Sequence, residues 1–209
     1  MARLSQEFYN RDTVQVAREL LGKYLVRVVD AGTLVCRITE TEAYIGRCDK
    51  ACHAYNYKKT ERTSALFQPP GRAYVYLIYG MHHCLNFVTE PQDEPAAVLI
   101  RGGTPVSGMD AMWRARYGEK TVTPYRIENF LNGPGKLCQA LDITKRENRQ
   151  DLVTGETLFV CDSPEDVGAP PCPTPVHEII RSGPRIGVDY AEEARDFPWR
   201  FWLETEEPK

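Results

Sequence analysis

The stretch from Gly71 to Arg101, GRAYVYLIYGMHHCLNFVTEPQDEPAAVLIR, constrains the fold more than any other part of this chain. An apolar and aromatic run covers Ala73 to Tyr79, Gly80-Met81 interrupts it, and a second run follows from His82 to Val88. Two β-rich runs joined at a glycine predict a hairpin. The third run, Ala96 to Arg101, is too apolar for an exposed strand. The hairpin tip is unusual. Tyr79, Met81 and His82 stand where tips normally carry Asn, Asp or Ser. Large apolar groups at a tip fit insertion between stacked bases, as minor-groove wedges do. They also fit a tip covered by another part of the same chain, the more ordinary reading on spacing alone.

A second informative run is Thr33 to Tyr44, which predicts a strand. Its even positions are Leu34, Cys36, Ile38, Glu40, Glu42 and Tyr44. Side chains alternate along a strand, so Glu40 and Glu42 are expected to continue the apolar face. A carboxylate placed there finds a partner, changes its pKa or borders a polar pocket. The last is how general bases are placed; the alternative is a twisted strand end open to solvent. Arg101 ends a buried strand and calls for a carboxylate or a ligand, with Glu40 and Glu42 as the unpaired candidates. Residues 45–72 read as a loop, and a long loop in a compact domain is often functional. It carries His53 and the polar, basic residues Lys58 to Thr63.

The remaining chain supplies scaffold. Residues 12–22 predict a helix capped by Asp12 and ended by Gly22. Tyr24 to Val29 predicts a strand. Residues 107–117 predict an amphipathic helix, with Met109, Met112, Trp113 and Arg116 on the side that faces the core. Residues 119–131 read as polar linker. Pro134 fits the first turn of a helix, and bare glycine backbone with Lys136 suggests a phosphate contact, although the spacing is not that of a P-loop. Leu158 to Cys161, Val176 to Ile180, Arg185 to Val188 and Arg200 to Leu203 read as strands, with a proline-rich loop over 163–175. The expected architecture is α+β: a single mixed domain over 1–209, with a curved, mostly antiparallel β-sheet, flanking helices, a protruding β-hairpin and a frayed tail over 203–209.

Composition narrows the classes. With 42% apolar and 26% charged residues, the 209-residue chain can bury a core. It has no run of 18 apolar residues, so no membrane partner is expected. Its N-terminus lacks an apolar signal core, which points to the cytoplasm. Neither Cys48-x3-Cys52-His53 nor His82-His83-Cys84 has zinc-site spacing, so no metal is expected. A net charge of −3 argues against a generic nucleic-acid binder. Lys50, Lys58, Lys59, Arg62 and Arg72 nonetheless make residues 50–72 locally basic, which suits either phosphates or plain solvated surface.

The motifs ETEAY (40–44), His53, YVYLIYGM (74–81), Asn86, VLIR (98–101) and GPGKLCQAL (133–141) occur in one order. In that combination the chain resembles the alkyladenine, or 3-methyladenine, DNA glycosylase family over roughly residues 4 to 203. The resemblance implies a monofunctional base-excision repair enzyme. It would flip alkylated or deaminated purines out of duplex DNA and hydrolyse the N-glycosidic bond without a cofactor. It implies Glu42 as the base that activates water and Arg101 as the group that helps hold that water. Tyr44, His53, Tyr76 and Asn86 would form the base pocket, with Tyr79 as the intercalating wedge beside Met81 and His82. Lys58, Thr60, Arg62 and Lys136 would contact the DNA backbone. The implied partner is double-stranded DNA carrying damaged purines, with no obligate protein partner. The implied state is a monomer, cytoplasmic and nucleoid-associated in a bacterium or nuclear in a eukaryote. The family commonly has an aromatic residue where this chain has His82. A noncatalytic damaged-base binder and a small-molecule nucleoside hydrolase compete with this reading. The binder has no need of Glu42, and the hydrolase has none of an exposed Tyr79. Tyr76 is expected opposite Asn86 across a three-residue loop over 80–82.

Overall fold

The computed structural model describes residues 3–172 and 177–206. The hairpin forms as its alternation dictates, from β3 (Ala73–Ile78) and β4 (His82–Val88). Ala73, Val75, Leu85 and Phe87 point into the main core, while Tyr74 and Tyr76 pack in a separate cluster on the other face. The loop has three residues, but they are 79–81 and not 80–82. Tyr76 therefore pairs with Cys84, and Tyr74 pairs with Asn86. The slip is two residues, so the expected facing survives: Tyr76 and Asn86 share one side of the hairpin. The local cause lies in the turn. Tyr79 (φ 53°) and Gly80 (φ 70°) are both left-handed, and the Met81 amide closes the turn on the Ile78 carbonyl at 3.2 Å.

A bulge organises the rest of the sheet. β1 (Tyr24–Val29) pairs antiparallel with the first half of β2 (Gly32–Ile45), and β2 runs beside β5 (Ala96–Ser107) along most of its length. The β2–β5 register shifts between Ile38 and Glu40 and again before Thr41. An extra residue in one strand reverses the facing of everything beyond it. Leu34, Cys36 and Ile38 enter the main core, but after the bulge Ala43 enters it instead. The buried Thr41 hydroxyl donates to the Ala17 carbonyl at 2.8 Å on that same side. Glu42 and Tyr44 thus stand on the opposite face. The expectation that the two glutamates continue the apolar face of the strand is overturned, because strict alternation does not survive the bulge.

The sheet has eight strands, in the order β3-β4-β5-β2-β1-β6, with β6 spanning Leu158–Cys161. β8 (Arg200–Thr205) pairs with Glu40 to Glu42 of β2 and with β7 (Glu178–Gly183). All strand pairings among the described residues are antiparallel. One face is covered by helices. These are α1 (Gln6–Tyr9), α2 (Thr13–Glu19), α3 (Met109–Tyr117), α4 (Pro124–Glu128) and α5 (Pro134–Ala140). Leu20, Ile38, Phe87, Ile100, Met112, Leu137 and Leu141 are fully buried in this layer. The Asp12 side chain caps α2 by accepting from the Gln15 amide at 3.0 Å.

Four other expectations change. The polar linker contains α4, started by the Thr123 hydroxyl and Pro124; Tyr125 and Ile127 stay exposed, so no apolar period reveals it. Met109 is exposed and outside the core, because it opens α3 where the helix has not yet met the sheet. Residues 185–188 are irregular, with Gly187 at φ 76°. β8 continues through Thr205 by pairing with Glu178. The Val176 end of the expected strand, and residues 207–209 of the tail, lie outside the described residues.

Candidate active site

The sheet face turned away from the helices is the floor of a cavity of about 380 Å³. That is within the roughly 300–1,000 Å³ typical of small-molecule sites. Register alone sets the floor: Tyr74 lies opposite Asn86, Asn86 and Glu42 both lie opposite Leu99, and Tyr44 lies opposite Ala97. These side chains, with Tyr76, Cys84 and Arg101, line the cavity. The loop after β2 folds back over this face. Cys52, Ala54, Ala65, Leu66 and Phe67 pack on Tyr74, Val88 and Ala97 and hold His53 at the wall.

Glu42 is 0% exposed. Its Oε2 accepts from the Tyr44 hydroxyl at 2.7 Å, and its Oε1 accepts from the Ile186 amide at 2.9 Å. Arg101 Nε lies 3.6 Å from Oε1 but only 3.0 Å from Glu40 Oε1. Arg200 also donates to Glu40, at 2.5 Å. Two carboxylates and two guanidinium groups therefore meet midway along β5, which runs on to Ser107 and does not end at Arg101 as expected, because β2 continues to pair with it. Charge is balanced there, so a buried carboxylate is sustainable where an isolated one would not be. Glu40 takes the stronger share of Arg101. Glu42 faces the cavity with Arg101 held beside it.

The walls are aromatic. His53 meets Tyr76 edge to face at 4.7 Å between centroids, and Tyr74 lies 5.3 Å from Tyr76. His53 Nδ1 is 3.1 Å from the Tyr74 hydroxyl, and Nε2 is 3.5 Å from Arg62, whose guanidinium also lies 5.1 Å from the Tyr76 ring. Burial, reinforced by Arg62, lowers the His53 pKa to about 4, so the ring is neutral at pH 7. Burial pushes the Tyr74 hydroxyl up to about 12 and raises that of Tyr76 further. Burial and then the Glu42 charge raise Tyr44 well above the ordinary range. The Asn86 amide donates to the Tyr74 carbonyl at 3.1 Å and to the Cys84 carbonyl at 3.4 Å. The site thus offers flat π faces, a neutral imidazole and one carboxylate. That set suits a flat, cationic heteroaromatic ring.

At the mouth, Tyr79 is 81% exposed and Met81 70%. The alternative of a tip covered by the chain does not hold for these two. Tyr79 and His82 line the cavity mouth; Met81 points to the far side of the tip. A Cβ on Gly135 would lie 3.0 Å from His82, so His82 rests against α5. Lys136 lines the mouth as well, with Nζ held by the Asn129 and Asn132 side-chain oxygens at 2.8 and 2.7 Å. Lys58, Thr60 and Arg62 are exposed on the loop beside His53. The Thr60 hydroxyl is turned inward to Thr63, at 3.1 Å. Among the described residues, no group of three or more His, Cys, Asp or Glu is placed to hold a metal ion.

One wall is not among the expected site residues. Ile186, Gly187, Val188 and Tyr190 line the cavity opposite the hairpin. The signal for that wall was the pair Pro184 and Gly187, which fit an irregular segment better than a strand.

Known proteins match nearly the whole chain. The family model for methylpurine-DNA glycosylase matches residues 7–207. A Clostridium perfringens protein is 48% identical over 206 residues, covering 96% of this chain and 95% of the relative. An Alkaliphilus oremlandii protein is 48% identical over 203 residues, with the same coverage. A Bacillus cytotoxicus protein is 47% identical over 198 residues, covering 95% and 94%. Each carries the name "Putative 3-methyladenine DNA glycosylase".

Proposed function

Because the chain belongs to the methylpurine-DNA glycosylase family, we propose that it excises alkylated purines, 3-methyladenine among them, from duplex DNA by hydrolysis. The observation that carries this reading is the buried Glu42 carboxylate on the floor of an aromatic cavity, with an exposed tyrosine at the cavity mouth. An enzyme acting on a base inside a duplex must first extrude it. Tyr79, with Met81 and His82, fills the gap that the extruded nucleotide leaves. The base enters between Tyr44 and Tyr76, with His53 at its edge and the Asn86 amide against the purine 2-position.

An N3- or N7-alkylated purine carries positive charge and leaves readily. Cation–π attraction to the tyrosine faces contributes about 0.5–2 kcal/mol to its binding. A water between Glu42 and the sugar attacks C1′ as the C1′–N bond breaks. The bonding pair goes to the purine and neutralises it, while Glu42 takes the proton from the water. The carboxylate also stabilises the oxocarbenium charge that develops on the sugar. Arg101 helps hold the water. The products are the free base and an abasic site. Lys58, Thr60, Arg62 and Lys136 take the phosphates. The protein acts as a monomer in the cytoplasm, where a bacterial chromosome is reached.

The test is single-turnover base release from duplexes carrying one lesion each. Glu42→Gln should slow release by at least about 100-fold with duplex binding retained. Tyr79→Ser should slow duplex processing roughly tenfold more than single-strand processing. A wild-type protein that binds lesions and releases no base would overturn the reading.

A further inference from the structure

Arg185 takes no part in the chemistry described above, yet both of its terminal nitrogens are fully engaged, and only the buried Nε lacks a hydrogen-bond partner. Its side chain and that of Asp49 are both 0% exposed and ion-paired. Nη2 donates to Asp49 Oδ1 at 2.7 Å and to the Ala194 carbonyl at 3.0 Å; Nη1 donates to the other Asp49 oxygen and to the Ala43 carbonyl at 2.8 Å. The guanidinium also lies 4.7 Å from the Tyr44 ring and 5.3 Å from the Trp199 ring. A planar fork held by four bonds and two rings has essentially one orientation. One group therefore ties β2, the loop after it, the turn around Ala194 and the irregular segment 184–190.

We propose that Arg185 is a positioning residue for Glu42, fixing two of the three donors that face its carboxylate. The first is the Tyr44 hydroxyl, on Glu42 Oε2, whose ring rests on the guanidinium. The second is the amide of Ile186, the next residue in the chain, on Oε1. The third, Arg101, is held independently by Glu40. Arg185 does not itself line the cavity, so its effect is exerted through those two donors. Charge-assisted hydrogen bonds hold a carboxylate in one geometry. Loosening both lets the base tilt away from the attacking water, and small misplacements of a catalytic group are costly.

This inference rests on the glycosylase reading. Its test uses the lesion duplex that wild type processes fastest. Arg185→Lys keeps the charge and removes the fork. Single-turnover release at saturating enzyme should slow roughly 10- to 100-fold, a loss confined to the chemical step. Affinity for the lesion duplex should change less than about threefold. Asp49→Asn keeps the volume and one acceptor oxygen and should slow release with duplex affinity likewise retained; it carries the test on the same criteria if Arg185→Lys does not fold. Wild-type release in the folded variant overturns the proposal. So does a loss of release matched by lost duplex affinity, which a merely structural role would give. A wild type that releases no base overturns the glycosylase reading first, and this inference with it.

Discussion

Two residues in the cavity stand in opposite electrical situations. Glu42 is buried but answered by two hydrogen-bond donors and the Arg101 charge, whereas His53 is half-buried beside a cation. The histidine has a consequence for stability. Its pKa falls from 6.5 to about 4 on folding. A depressed pKa means that the unfolded chain binds the proton more readily, so the folded state is favoured fully above about 6.5 and loses that advantage as pH falls to about 4. The thermal midpoint of wild type should drop over that window by at least about 3 °C more than that of His53→Gln, as melting curves at stepped pH would show. Residue types and their order were legible in the sequence: a carboxylate, two tyrosines, a histidine and an asparagine, spaced as a known family spaces them. The Ile186 amide and the Arg185 clamp were not. A backbone N–H has no sequence signature, and a buried arginine looks like any other until its four acceptors are seen together.

At the scale of elements, most strands and the helices α2, α3 and α5 were legible from periodicity and caps. What was lost came from places where one local rule yields to another. α4 lacks an apolar face, and the hairpin loop moved by one residue because Tyr79 accepts a left-handed conformation. The bulge in β2 reversed the facing of both glutamates. That bulge lies against Gly103, where an added Cβ would lie 2.2 Å from Cys36 Sγ and 2.7 Å from the Arg37 carbonyl. Gly103→Ala should therefore destabilise by about 1–3 kcal/mol through overpacking, read as a lower urea midpoint at unchanged slope. Base release should fall with it, because the same register carries Glu42.

The whole molecule is acidic, at −3, but its charge is partitioned. Lys50 is held by Glu192 and Glu193 and Lys59 faces Asp93, while Lys58 has no ion-pair partner among the described residues. Affinity for undamaged duplex should fall steeply with salt, and Lys58→Ala should lower the slope of log K against log salt by about one. An unchanged slope in fluorescence titrations would remove Lys58 from the phosphate-binding set.

The bulge also divides the kinds of change that this gene can absorb. Beyond the bulge, one face of β2 is packed in the main core and the other lines the cavity, so single substitutions act on one face at a time. Between Ile38 and Glu42, an in-frame loss or gain of one codon would exchange the two faces from there to Ile45. The carboxylate would turn toward the Ala17 carbonyl, and alanine would line the cavity in its place. A lineage carrying this fold can drift by replacement at either face, while length in those few codons is fixed.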